Sequence, residues 1–515
     1  MRLPQMQYAG DRRKQQALQF GGVQYGRGGG EGDFSETENL SSRQFPTLSQ
    51  RGARKKTAGY EAATALFAKN KLVVVDGTSL LYDGNAVGTV TEGEKQIVSV
   101  NSKILVFPDK VYYDTNSETF GAMEASVSAE AEKVTWTEET LKLETEQDLT
   151  ELFSVGQAVK ISGSSNERNN QTLVLRGVSK DTLTFSTDSF AGSTDTEKNT
   201  VTVAREVPDF ACVCESANRL WGAEGNTIWA SALGDPLTFY NYEGLSTDAY
   251  AVAVGTDGAF TGCTAYSSNV LFFKEHVLHK VLGSMPSEYR VYDYTVPGVQ
   301  AGSHKSMVVV NEILYYKGVD GVYAYNGSTP SLISANFGLK RFQKAAAGTD
   351  GGHYYISMED AESGAWGLFV YDTAAGIWLR EDETHAVDFA RQDTVLHFLN
   401  AVDGGVYAMD QSDEWEGRFP WMAEFTPMDD TIYGKRGYSK LWLKCELAPG
   451  AWLKAEISED GAPWHDAGIW SDSTRGTVIA PIFPTRCDTF RLRLSGMGRC
   501  VVKNMVREFD VGSER

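Results

Sequence analysis

The feature of this sequence that most constrains its fold is a strand–turn–strand unit that recurs from about residue 70 onward. Each copy has an apolar and aromatic run, a short turn rich in Gly, Asp or Asn, and a second run rich in Tyr or Trp. The copies begin at Asn70, Asn101, Asn218, Asn269, Asn311, His353 and Val395. The later copies start roughly 40 to 50 residues apart, which is the length of one four-stranded propeller blade.

The repeat predicts an all-β fold built on a β-propeller of about six to eight blades, in which each copy supplies the central hairpin of one blade. Runs such as Val73-Val74-Val75 are apolar throughout, as expected for strands covered on both faces by neighbouring blades. The chain is rich in Gly (51), Tyr (23) and Phe (24) and poor in Pro (14), which favours short strands joined by tight turns.

The segment before the repeat, residues 1–56, combines many Arg and Lys residues with the glycine-rich run from Gly26 to Gly32. The run is not a dinucleotide-binding loop, because no strand precedes it and no helix follows it. We predict an extended basic arm over residues 1–56 that tethers neighbouring subunits.

The propeller is expected to occupy residues 57–121 and 208–412. Between these parts, residues 122–207 are rich in Glu, Thr and Ser and contain short β-like runs, which predicts an inserted acidic β-domain. After residue 412 the repeat stops and a half-buried alternation begins, as in Ser439-Lys440-Leu441-Trp442-Leu443. Residues 413–515 are therefore predicted to form a C-terminal β-sandwich.

The formal charge of -20 argues against a protein that holds nucleic acid by neutralising phosphates over its surface. Solubility alone is the simplest explanation of this negative charge. A more specific explanation is a channel through which DNA passes without being bound. The six cysteines are dispersed, which fits a reduced cytosolic compartment better than a disulfide scaffold. No apolar run is long enough for a signal peptide or a membrane span, so neither is expected.

Signatures of nucleophilic, zinc and nucleotide chemistry are missing from the sequence: G-x-S-x-G, H-E-x-x-H and the P-loop. His276 and His279 are three apart and would point to opposite faces of a strand, so a shared metal ion is not expected. Cys212 and Cys214 resemble half of a metal site but have no second pair at ligand spacing. We therefore predict no catalytic, cofactor-binding or metal residues, no cofactor, and no enzymatic activity.

Two alternatives stay open. Propeller glycosidases use spaced carboxylates, so Asp320, Asp372 and Asp403 are candidate acids, although turn chemistry explains them more simply. Trp464 follows an exposed hairpin tip and is a candidate for stacking on a pyranose ring, although a structural cover for the sandwich edge is the commoner role.

Two stretches carry a resemblance to a known family. The first runs from Gly32 to Arg51 and contains Glu38-Asn39-Leu40-Ser41 followed by Phe45-Pro46-Thr47-Leu48. The second is Asn218-Arg219-Leu220-Trp221 followed by Ile228-Trp229-Ala230-Ser231-Ala232-Leu233-Gly234-Asp235-Pro236. Both are similar to stretches of the tail-nozzle or tail-hub β-propeller proteins of tailed bacteriophages, whereas residues 122–207 and 413–515 match no named part of that family.

This resemblance implies a structural protein of the virion tail, assembled in the bacterial cytoplasm as a homo-oligomeric ring, commonly sixfold. Such a ring would extend the DNA ejection channel, contact an adaptor or portal-side ring and tail fibre or spike proteins, and let viral DNA pass without tight binding. The alternative is a carbohydrate-binding or glycan-cleaving β-propeller involved in host-surface recognition. A host surface-sensing scaffold is a third hypothesis.

Overall fold

The computed structural model describes residues 12–26, 29–191, 199–428, 435–471, 474–483 and 486–511. Strands dominate, and the helical elements are one short α-helix and four single turns of 3₁₀-helix. They are α1 (Leu149–Leu152) and the turns Ala131–Lys133, Glu167–Asn169, His304–Ser306 and Ala335–Phe337. Over the described ranges, no helix has the length and hydropathy needed to cross a membrane. The chain divides into two compact units, one formed by residues up to Tyr60 together with Lys305 onward, the other by Glu61–His304.

The N-terminal segment contributes five strands to the first unit. They are β1 (Arg12–Ala17), β2 (Phe34–Glu38), β3 (Leu40–Ser41), β4 (Leu48–Gln50) and β5 (Ala53–Gly59).

The second unit begins with two four-stranded antiparallel sheets in up-and-down order. The first consists of β6 (Ala63–Lys69), β7 (Lys71–Asp76), β8 (Ser79–Tyr82) and β9 (Asn85–Thr89). The second consists of β10 (Gln96–Val100), β11 (Lys103–Phe107), β12 (Val111–Asp114) and β13 (Thr119–Ala122).

An inserted β-domain follows, made of two four-stranded sheets around one hydrophobic core. Its strands are β14 (Ala125–Glu130), β15 (Val134–Trp136), β16 (Thr140–Leu143), β17 (Ala158–Ser162), β18 (Thr172–Val174), β19 (Gly177–Val178), β20 (Thr182–Thr184) and β21 (Thr200–Arg205). The first and last strands pair, with Ala125 opposite Arg205. The two ends of the domain are therefore neighbours, as an insertion into a loop requires.

Two further up-and-down sheets complete the second unit. They are β22 (Cys212–Ser216), β23 (Arg219–Glu224), β24 (Thr227–Ala230) and β25 (Tyr250–Ala253), then β26 (Gly262–Tyr266), β27 (Asn269–Phe273), β28 (Val277–Leu282) and β29 (Arg290–Thr295). Within this unit β6 lies beside β10, β10 beside β22, and β22 beside β26. Each sheet thus presents its first strand to the first strand of the next, as successive propeller blades do.

The asparagine that opens several copies of the repeat lies in the turn between the first and second strands of its sheet. Asn70, Asn101, Asn218 and Asn311 have φ values between 48° and 59°. Asn tolerates this left-handed conformation better than most L-residues do, which explains its recurrence in the sequence.

The first unit contains three more sheets of the same order. Their strands are β30 (Val308–Val310), β31 (Ile313–Lys317), β32 (Val322–Tyr325) and β33 (Ser331–Leu332), then β34 (Phe342–Thr349), β35 (His353–Asp360), β36 (Trp366–Asp372) and β37 (Ile377–Asp382), then β38 (Ala386–Gln392), β39 (Val395–Asn400) and β40 (Gly405–Gln411). The last sheet takes β5 as its fourth strand, paired antiparallel with β40.

The C-terminal part is a β-sandwich. Its strands are β41 (Pro420–Phe425), β42 (Arg436–Leu447), β43 (Trp452–Glu459), β44 (His465–Ser471), β45 (Arg475–Pro481), β46 (Arg486–Cys487), β47 (Phe490–Met497) and β48 (Cys500–Val511). One sheet has the order β3-β4-β48-β42-β45, with β1 on β48 and β46 on β42, and the other has the order β2-β41-β47-β43-β44. Alternate residues such as Leu441, Leu443, Leu492 and Leu494 are fully buried between the sheets.

The predicted fold class is confirmed: an all-β chain of the β-propeller class with an inserted small β-domain and a C-terminal β-sandwich. The described residues form seven sheets of blade order. The extended arm predicted over residues 1–56 needs correction, because β1 to β4 belong to the sandwich and β5 to a blade-like sheet. Phe34, Leu40 and Leu48 anchor this segment in the sandwich core. Residues 1–11 and 27–28 of that prediction lie outside the described residues.

Candidate functional site

The histidines singled out in the sequence do not converge. His276 is exposed in the turn before β28, whereas His279 is buried on β28. The His279 Nε2 atom lies 2.9 Å from Thr256 Oγ1, and burial lowers the pKa of its imidazole. Throughout the part of the chain that the structure describes, no group of three His, Cys, Asp or Glu side chains is placed to hold a metal ion.

The three candidate aspartates lie in or beside turns. Asp372 accepts hydrogen bonds from the backbone N–H groups of Ala374 and Ala375, and Asp403 accepts from the N–H of Gly405. Asp320 is exposed in the turn between β31 and β32. The positions of Asp372 and Asp403 are therefore explained by their role in stabilising turns, as the sequence analysis considered.

A second set of side chains, which the sequence did not single out, converges in the first unit. Arg43 Nη2 donates to Asp350 Oδ2 at 2.5 Å and also to Asp410 Oδ2. The Tyr355 hydroxyl lies 3.3 Å from Asp350 Oδ2 and 3.5 Å from Asp410 Oδ2. His353 Nδ1 lies 2.9 Å from Asp350 Oδ2. We call these five residues the Arg43 cluster.

The electrostatics of the Arg43 cluster keep the carboxyl group of Asp350 ionised. Burial acts to raise the pKa of Asp350, but hydrogen bonds from His353 and from the Gly352 N–H outweigh it and hold this pKa well below its usual range. Burial acts to lower the pKa of His353, yet the hydrogen bond and charge of Asp350 raise it overall. Burial, followed by the charge of Asp410, raises the pKa of Tyr355 well above its usual value, so the phenol stays protonated.

Because Asp350 and Asp410 reach the same Arg43 nitrogen, their contacting oxygens are no more than about 5 Å apart, close to the separation of paired carboxyl groups in retaining glycosidases. General acid catalysis needs a carboxyl that is protonated near neutral pH. Since Asp350 is held ionised, the cluster is better suited to accept hydrogen bonds from a ligand than to donate a proton to it.

A cleft of about 320 Å³ adjoins the cluster. Its walls come from the chain between β3 and β5, from the end of β40 and from the start of β48. The lining side chains are mostly amides, hydroxyls and charged groups: Ser41, Arg43, Gln44, Ser49, Gln50, Arg51, Asp410, Gln411 and Arg499. Gln50 Oε1 is buried and has no hydrogen-bond partner among the described residues. A buried acceptor left unpaired costs roughly 1 to 3 kcal/mol, so a ligand whose donor reached this atom would remove that cost.

An ionic network lies next to the cleft, and Arg51 belongs both to the network and to the cleft lining. Arg51 binds Glu416 through both terminal nitrogens, at 2.8 and 2.7 Å. Arg54 donates to Glu381 and Asp382, each at 2.6 Å. Paired charges on planar guanidinium groups hold their geometry well, so the cleft walls are pre-organised.

Trp464 is covered rather than free. The guanidinium groups of Arg491 and Arg493 lie 4.9 and 4.2 Å from its ring centre. Both arginines also bind the buried carboxylate of Glu424. A structural role as a cover for the edge of the sandwich therefore explains Trp464 better than stacking on a sugar ring does.

The second stretch that carries the family resemblance, residues 218–221 and 228–236, contributes to a loop. Arg219 is buried and donates to the carbonyl oxygens of Ser231, Ser246 and Asp248. Asp235 accepts from the Leu237 N–H at 3.0 Å and from the Thr238 hydroxyl at 2.8 Å. These residues shape the connection between β24 and β25, and their role is structural.

Sequence reasoning missed the Arg43 cluster because Arg43 fell within the predicted arm. The available signal was the turn Asp350-Gly351-Gly352-His353, in which Asp350 accepts from the N–H groups of Gly352 and His353. Such an Asx turn fixes a carboxylate beside an imidazole.

No family model matches this sequence, and no curated protein is similar to it. Similar solved structures include an exo-β-1,3-galactanase from Phanerochaete chrysosporium, 8% identical over 56% of this chain and 92% of that one, with a TM-score of 0.22. The phage phi92 endosialidase is 10% identical over 72% of each chain, with a TM-score of 0.26. The β-propeller domain of Myceliophteria thermophila Cps50 (Swd1) is 8% identical over 70% of this chain and all of that one, with a TM-score of 0.29.

The prediction that the chain is not an enzyme needs correction, and the similar structures include two enzymes, the galactanase and the endosialidase. That prediction is withdrawn.

Proposed function

We propose that this chain is a glycan-binding β-propeller protein that acts in recognition of a host surface, and that the cleft beside Arg43 is its binding site. The observation that carries the proposal is the unpartnered Gln50 Oε1 in a cleft lined by amides, hydroxyls and paired charges. A sugar offers several hydroxyl groups at fixed spacing, and each both donates and accepts. A concave site with a few well-placed polar groups suits such a ligand.

The exposed edge of the Arg43 cluster supports the same proposal. The side chains of Arg43 and Asp410 are 42% and 31% exposed, so a hydrogen-bond donor and an acceptor stand side by side at the cleft. Vicinal hydroxyls of a sugar can engage such a pair together. The network of Arg51 and Glu416 holds the neighbouring wall in place, which reduces the entropy lost on binding.

The test is binding of the purified full chain to immobilised bacterial surface glycans: O-antigen oligosaccharides, capsule fragments and peptidoglycan fragments. The variants Gln50→Ala and Gln411→Ala each remove one amide from the cleft, and we expect affinity to fall about fivefold or more, since one hydrogen bond contributes about 1 kcal/mol. Gln147→Ala, at an exposed position in the inserted domain, is the matched control. No binding to any glycan, or equal binding by all variants, would overturn the proposal. Release of shorter sugars during the assay would show cleavage in addition.

A second candidate is the structural role in a bacteriophage tail, as a ring that extends the DNA channel and contacts adaptor and fibre proteins. It is supported by the two motif stretches and by the charge of -20. Native mass spectrometry and electron microscopy of the full chain test it. A closed homo-oligomer of fixed symmetry is expected, and a chain that stays monomeric at every concentration would exclude the ring.

A further inference from the structure

One tryptophan lies on a loop beside the cleft and is open to solvent. Trp415 belongs to the connection between β40 and β41 and is 54% exposed. Among the tryptophans in the described ranges, it is the only exposed one. A large aromatic ring left in water is a ready contact surface, because covering it removes a large apolar area from water.

The loop that carries this tryptophan is bound to the lining of the cleft. It follows Gln411, which itself lines the cleft. Further along the loop, Asp413 Oδ2 lies 3.5 Å from Nε of Arg499. Glu416 binds both terminal nitrogens of Arg51, at 2.8 and 2.7 Å. Because both arginines line the cleft, the loop forms part of its rim.

Hydrogen bonds within the loop fix the position of the indole. The N–H of Gly417 donates to the carbonyl oxygen of Asp413 at 2.9 Å, which closes a turn around Trp415. Gly417 has a φ of 74°, in the left-handed region that favours glycine. Consecutive Cα atoms are about 3.8 Å apart, so the backbone of Trp415 lies directly beside that of Glu416. A glycan that leaves the cleft past Arg51 would therefore pass next to the indole.

The two faces of the Trp415 ring differ. The Lys55 ammonium nitrogen lies over the ring, 3.6 Å from its centre, and covers one face. Since more than half of the tryptophan is exposed, the opposite face is the one open to a ligand. The face of an aromatic ring carries partial negative charge. The C–H groups on the less polar face of a pyranose carry partial positive charge, so such a sugar can stack on the open face.

We propose that Trp415 forms a second sugar subsite, on which a pyranose stacks next to the sugar residue held in the cleft. This inference rests on the proposed function and narrows the class of ligand to an oligosaccharide of at least two pyranose residues. The cleft binds hydroxyl groups through its amides and charged groups, whereas the indole binds the apolar face of the adjoining residue. Because the loop is already ordered, little entropy is lost when the second residue binds.

The experiment measures the affinity of the full chain for fragments of increasing length, from a single sugar residue upward, of the O-antigen, capsule or peptidoglycan that the parent binds. We expect the affinity of the parent to rise from one residue to two or more. Trp415→Ala should lose most of that gain, about fivefold or more, whereas Trp415→Phe keeps an aromatic face and should retain part of it. The matched control is Tyr292→Ala, which removes an exposed aromatic ring from the second unit.

Hydroxyl-radical footprinting of the parent gives a readout that needs no substitution. The tryptic peptide of residues 392–418 contains Trp415 and no other tryptophan, so its oxidation can be followed by mass spectrometry. We expect a bound oligosaccharide to slow the oxidation of Trp415 and a single sugar residue to leave it unchanged.

Two results would overturn the second subsite while leaving the glycan-binding cleft in place. One is a Trp415→Ala chain that gains as much affinity with fragment length as the parent does. The other is an oligosaccharide that binds but leaves Trp415 as reactive as in the free chain. A parent that binds no fragment of any length would overturn the cleft and the subsite together, so the two failures are distinguishable.

Discussion

Buried arginines hold the irregular parts of this molecule together. Arg219 donates to three loop carbonyls, and Arg205 donates to the carbonyls of Met123 and Leu152 and to the Gln157 side chain. A guanidinium group has five N–H donors in one plane. One arginine side chain can therefore donate to several loop carbonyls that have no partner in a neighbouring strand. Replacing such an arginine by lysine keeps the charge but leaves carbonyls unpaired.

Trp221 and Trp229, which both lie in the second stretch that carries the family resemblance, differ in the structure. The Trp221 ring is 2% exposed and packs on Tyr250, Phe272 and Tyr289, so it joins two sheets. Trp229 is half-buried and its ring contacts Tyr240. We expect Trp221→Ala to lower the free energy of unfolding by about 3 to 5 kcal/mol and Trp229→Ala to lower it by less. Chemical denaturation of both variants measures the difference, and equal losses would contradict it.

His353 should make the stability of the first unit depend on pH. Its pKa is raised in the folded state, so the stability it contributes is fully present below its unfolded value of 6.5 and is lost as pH rises through the folded pKa. We therefore expect the melting temperature of the parent to exceed that of His353→Gln most in mildly acidic buffer, with the gap narrowing toward alkaline pH. His276→Gln, at an exposed turn, is the control. A gap that widens with pH would refute the assigned pairing with Asp350.

At the scale of elements, the N-terminal segment completes sheets whose other strands lie at the far end of the chain. β5 is the fourth strand beside β40, and β2 pairs with β41. A chain that starts at Tyr60 would expose the faces these strands cover. We expect it to be insoluble or to unfold without cooperativity, as measured by circular dichroism and limited proteolysis. A chain that starts at Arg12 keeps all five strands and is the control. A cooperative transition in the shorter chain would mean that the strands are dispensable.

Local patterns predicted the hairpins, the insertion and the sandwich, because periodicity reports which face of a strand is covered. They could not predict which distant strands pair. The pairing of β5 with β40 joins residues about 350 positions apart, and register between such strands depends on the assembled core. The meeting of Arg43 with Asp350 was hidden for the same reason.

For the whole molecule, the charge of -20 has to be considered together with the placement of the cations. Many of the basic residues of the N-terminal segment are bound to carboxylates of the same chain. The pairs are Arg12–Asp510, Lys14–Glu508, Arg43–Asp350, Arg51–Glu416, Arg54–Glu381 and Lys56–Asp403. These cations would have to leave their partners before they could bind phosphates.

We therefore expect the full chain to show no measurable affinity for duplex DNA at physiological salt. Phosphate binding depends on releasing counterions from the nucleic acid, and each lysine or arginine already paired with a carboxylate contributes little to it. The acidic surface adds repulsion at long range, which weakens as salt screens it. Fluorescence anisotropy of a labelled duplex, titrated with the chain at several salt concentrations, measures this directly, with a basic DNA-binding protein as the positive control. An affinity whose logarithm falls steeply with the logarithm of salt concentration would show that the ion pairs open in solution and that the cations are available to DNA.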